Sequence, residues 1–71
     1  FMGSGKMNDT DMEKLEFLVD EYYIPEVVAC LSRICRLKAD DIRGTDKDVA
    51  MKFETYSDML NKAREEIDTV N

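Results

Sequence analysis

Two cysteines, Cys30 and Cys35, stand in the stretch "YYIPEVVACLSRICRLK" beside the single proline, Pro25. Thiols at close spacing can form a disulfide, bind zinc or act as nucleophiles, and each use has a geometric condition. On a helix, five residues mean about 140° of rotation and 7.5 Å of rise, so the Cα atoms lie roughly 8–9 Å apart. A disulfide needs less than about 7 Å, which excludes an intrahelical bridge. Structural zinc takes four N, S or O ligands, and there is no histidine to help complete the set. A site completed across a dimer is the remaining metal option. Cys30 falls near the Val27–Leu31–Ile34 face and Cys35 at its flank. Both are expected to be small core residues.

Glu13 and Glu16, and Glu65 and Asp68, are carboxylate pairs three residues apart, each on one helix face. Such pairs gather the oxygen ligands that hard cations take. The pattern resembles the magnesium-binding pairs of all-α nucleotide pyrophosphohydrolases, and the resemblance implies magnesium-dependent nucleotide hydrolysis. Here the two pairs are separated by far more chain than that pattern has, and no basic or aromatic nucleotide pocket accompanies them. With 16 acids in 71 residues, such spacings arise freely. Without histidine, acid–base work at neutral pH falls to strongly perturbed carboxylates or thiols. A di-iron bundle built on Glu-x-x-His pairs is excluded. The expectation is a protein that is not an enzyme, with no cofactor and no metal.

Formal net charge is −6, which argues against a general nucleic-acid binder, since phosphate contacts need a basic face. Arg33, Arg36, Lys38 and Arg43 are the one basic cluster, with Asp40 and Asp41 interleaved. The same acidity allows another reading, a nucleic-acid mimic that inhibits a DNA- or RNA-binding protein. No apolar run approaches the ~20 residues that cross a bilayer. With no secretory pattern and two unpaired thiols, the expected compartment is the cytoplasm. The leader "FMGSGK" reads as an appended remnant over 1–6. Its "GK" lacks the following Ser or Thr of a phosphate-binding loop.

What remains is a single helical domain over 7–71. After Lys6 the only glycine is Gly44, which leaves little provision for hairpin turns and strands. "TDME" at Thr10–Glu13 reads as a capping box. Behind it Met12, Leu15, Leu18, Val19 and Tyr22 recur at helical spacing. Gly44 suits a left-handed C′ position, and Thr45 suits an N-cap. Val49, Phe53, Tyr56, Leu60, Ala63, Ile67 and Val70 are spaced alternately four and three apart, an a/d seam held for three heptads.

Pro25 either kinks or breaks the first helix. The residues before it, Tyr22, Tyr23 and Ile24, are poor caps, so one kinked helix over about 11–38 is expected, followed by a second over about 46–70. These two arms form a helical hairpin without an enclosed core. The expected fold is all-α: a kinked hairpin pairing with a second copy into an antiparallel four-helix bundle dimer. The alternative is a monomeric three-helix bundle, broken near 23–25. Residues 9–26 hold seven acids against Lys14, a net of −6, and residues 27–39 hold three bases and no acid. An antiparallel pairing of first helices sets each acidic half against a basic half. Helix-dipole complementation accounts for part of this layout. The seam residues are the expected oligomer contact, and Phe17, Tyr22 and Tyr23 the expected patch for a protein partner of unknown identity. Function is expected in the interaction class, as an adaptor or regulator.

Overall fold

The structure, a computed structural model, describes residues 5–70. Residues 1–4 of the leader, and the last residue of the expected domain, lie outside the described residues. Three helices follow one another: α1 (Asp9–Glu21), α2 (Ile24–Ile42) and α3 (Lys47–Asp68). No strand occurs among the described residues.

Each helix start has a local cause. The α1 cap is Asn8 rather than Thr10: its Oδ1 accepts the Asp11 N–H at 2.8 Å, with Asp9 and Asp11 complementing the helix dipole in the first turn. The expected capping box is thus displaced by two residues within "NDTD", which offers several competing cap side chains. Asp46, not Thr45, caps α3, accepting the Val49 N–H at 3.1 Å. Gly44 lies outside the left-handed region, so the expected glycine C′ motif is absent there. The α2 end is closed instead by Ile42, whose carbonyl accepts from Thr45 and Asp46 at 2.9 and 2.8 Å.

At Pro25 the helix breaks, which corrects the expectation of one kinked helix. Tyr22 and Tyr23 are both extended (φ −128°, ψ 159° and φ −69°, ψ 151°). Pro25 takes the second position of α2, where an N–H would have no helical acceptor and its absence costs little. The Val27 N–H reaches the Tyr23 carbonyl at 3.1 Å, and no side chain caps the start. Main-chain geometry set by proline therefore restarted the helix where no good cap residue stands.

α2 and α3 form an antiparallel hairpin whose contact is made by small side chains. Ala39 and Ala50 are fully buried, and Ser32 and Ser57 meet between the helices. Ser32 Oγ donates to the Ser57 carbonyl at 3.0 Å and lies 2.9 Å from Ser57 Oγ. Removing bulk at these positions lets the two backbones approach closely, and the paired hydroxyls leave neither buried oxygen unsatisfied. Arg36–Asp58 (3.3 Å) and Arg43–Glu54 tie the helices along one edge.

α1 touches α2 only near their junction and does not reach α3. The principal extents are 38 × 30 × 15 Å, one helix layer thick where stable domains have two. The accessible surface is 6113 Å², against about 4,500 Å² expected for a compact monomer of this mass.

Candidate protein-binding surface

At about 100° per residue, the positions beside each buried residue fall on opposite sides of the α2–α3 layer. On one side stand Val28, Cys35 and Ile42 of α2 with Val49, Phe53, Tyr56, Leu60, Ala63 and Ile67 of α3. On the other stand Arg33, Arg36, Glu54 and Asp58. The heptad seam is therefore not the contact between the two helices. It lies one position away from the buried Ala50 and Ser57, and its members are half-buried or exposed. Phe53 and Tyr56 meet edge to face, ring centroids 5.9 Å apart. Val70, at its end, is exposed.

A second apolar stripe faces away from α3. Val27 is half-buried, Leu31, Ile34 and Leu37 are exposed, and Leu37 retains 58% of its surface. The Val27–Leu31–Ile34 face is core by sequence expectation; with α1 splayed away, no third helix covers it beyond the hinge. Cys30 is exposed rather than core, its thiol donating to Glu26 Oε1 at 3.7 Å. Cys35 is half-buried.

The tyrosine patch sits at the hinge. Phe17, Tyr22 and Tyr23 are all exposed, Tyr23 at 80%. Leu18 and Tyr22 of α1 line a cleft with Glu26, Val27 and Cys30 of α2, an apolar floor beside an acidic rim. Along α1, Met12, Leu15 and Leu18 are exposed as well.

The remaining sequence candidates are dispersed. The pairs Glu13/Glu16 and Glu65/Asp68 lie on α1 and α3, which make no contact. Among the described residues no three His, Cys, Asp or Glu side chains gather at metal-binding range. In the basic cluster, Arg36 is tied to Asp58, and Arg43 to Asp40 and Glu54. Arg33, Arg36 and Arg64 line a shallow polar groove of about 380 Å³ that has Ser32 and Ser57 along it. No described helix is long and apolar enough to cross a membrane.

The arrangement defines a three-helix, single-layer α-protein with two uncovered apolar stripes. No protein-family model matches the chain, and no curated protein and no solved structure is significantly similar to it.

Proposed function

We propose that this chain is a small acidic interaction module, an adaptor or regulator that acts as a homodimer and offers the hinge patch to a protein partner. One observation carries the reading: among the described residues most large apolar side chains are exposed and the rest only half-buried, while the fully buried hydrophobic residues are two alanines. Burying apolar surface yields about 25 cal/mol per Å², so leaving these stripes in water forgoes most of the available stabilisation. A second copy of the same chain supplies matching apolar surface. Two α2–α3 hairpins stacked through the seam would make an antiparallel four-helix bundle, with α2 in place of the single kinked first helix that the sequence leads one to expect. Phe17, Tyr22 and Tyr23 then remain for the partner, since tyrosine combines apolar area with a hydroxyl.

The test is molar mass in solution by light scattering, with and without reductant. Twice the chain mass in both conditions supports the dimer and leaves the thiols out of it; a stable monomer rejects it. A second reading, inhibition of a nucleic-acid-binding protein by mimicry, is favoured by α1, whose six acids face one lysine on a projecting helix. Salt-sensitive competition with DNA for a basic protein would distinguish it.

A further inference from the structure

The apolar stripe of α1 and the outer stripe of α2 have the same spacing read in opposite directions. Met12, Leu15, Leu18 and Tyr22 are separated by three, three and four residues. Leu37, Ile34, Leu31 and Val27, read backwards along α2, are also separated by three, three and four. Antiparallel packing thus pairs Met12 with Leu37, Leu15 with Ile34, Leu18 with Leu31 and Tyr22 with Val27. The same register sets Asp11 level with Lys38 and Glu16 with Arg33. All these residues belong to surfaces that are open in the isolated chain, Val27 excepted in part.

The chain's own α1 does not make this match. A hairpin turning at Tyr22–Tyr23 centres its register between those two residues, whereas the midpoint of every pair above falls between Ile24 and Pro25. The difference shifts α1 by four residues, about 6 Å along α2. It sets Leu18 against Val27 and Leu15 against Cys30, but Met12 against Arg33, and leaves Ile34 and Leu37 bare. The cleft that Leu18 and Tyr22 line with Val27 and Cys30 lies at the hinge end only. Both hinge residues are extended and carry α1 away from α2.

We propose that α1 is an exchanged arm: in the dimer it lies antiparallel along the outer stripe of α2 in the second copy. A two-fold axis through the Tyr23–Pro25 hinges generates the register, because it relates residues symmetrically about that point. Each half then contains α2, α3 and the other copy's α1, the acidic arm meets Arg33 and Lys38 of α2, and Tyr22 passes from the partner patch into the dimer, leaving Phe17 and Tyr23. The excess surface, about 1,600 Å² per chain over a compact monomer, exceeds the roughly 800 Å² per partner of a standard interface.

This inference rests on the dimer reading, and the test separates the two. In a Cys30→Ser, Cys35→Ser background, chains carrying Leu15→Cys are mixed with longer-tagged chains carrying Ile34→Cys, refolded together and oxidised gently. The expected result is a mixed disulfide dimer in at least fivefold excess over either same-chain dimer. A chain carrying both substitutions should give cross-linked dimer rather than monomer. Monomer closed by an internal disulfide overturns the exchange in favour of self-closure. A dimer by mass without the mixed disulfide overturns it in favour of stacked hairpins and leaves the dimer reading standing. A monomer by mass overturns both. Against misfolding, Asp11→Lys with Glu16→Lys should weaken dimerisation at least tenfold, and mixing with Arg33→Glu, Lys38→Glu chains should restore it; no recovery counts against the exchange.

Discussion

Ser32 and Ser57 face each other across the α2–α3 contact, their hydroxyl oxygens 2.9 Å apart, and Ser32 also donates to the Ser57 carbonyl. The pair fixes how close the helices come. Ser32→Ala should cost about 1–2 kcal/mol, because it leaves Ser57's buried hydroxyl short of a partner. Ser32→Leu should cost more, by forcing the backbones apart. Urea unfolding followed by far-ultraviolet circular dichroism reads both. An equal or smaller loss for leucine would show that the spacing is not tight.

The two side-chain caps should behave differently. Asp46→Ala removes the α3 cap inside the packed hairpin and should lower global stability by about 1 kcal/mol. Asn8→Ala removes a cap from the splayed α1 and should lower helix content with little change in the melting of the hairpin. Amide hydrogen exchange resolved by residue checks it, with the change for Asn8→Ala confined to α1.

Gly44 offers a stabilising change. Its backbone is outside the left-handed region, and an added Cβ meets nothing within 4 Å. Gly44→Ala should therefore gain about 0.4–1 kcal/mol, chiefly by restricting the unfolded chain. The thermal midpoint should rise. A fall would mean that the turn requires freedom it does not display.

Seam and hinge should separate in their effects. Leu60→Glu sets a charge on the half-buried seam and should halve the measured molar mass if stacked hairpins form the dimer. Tyr23→Ala should leave mass and thermal midpoint within error, since Tyr23 is 80% exposed and makes no side-chain cap bond. A large loss of stability in Tyr23→Ala would move that residue from partner contact to structural support.

The three helix-forming segments are legible in the sequence because each carries amphipathic spacing and has polar residues suited to capping nearby, except at Tyr23. There the pattern of cap residues pointed to a continuous helix, while proline geometry, which needs no cap side chain, produced the break. Thr10 and Thr45 were sound cap candidates, but Asn8 and Asp46 stand within two residues and accept from the N–H three residues on. The heptad seam is visible in the sequence as a periodic apolar pattern. Its place beside the helix contact, not in it, was hidden because apolar patterning weighs large residues. Close helix approach is decided by small ones, here Ser32, Ala39, Ala50 and Ser57. Cys30 departs from the core expectation for a related reason: the stripe it borders is apolar yet uncovered, and one chain's sequence does not reveal which apolar stripes find cover.

The thickness of 15 Å bears on dosage. If a second copy completes the layer, as proposed, folding obeys mass action: the folded fraction would rise with the amount of chain made, and the thermal midpoint would climb with concentration. Chains with an intact hinge but a spoiled stripe would still recruit normal ones, and a minority of defective copies would then poison a larger share of the pairs.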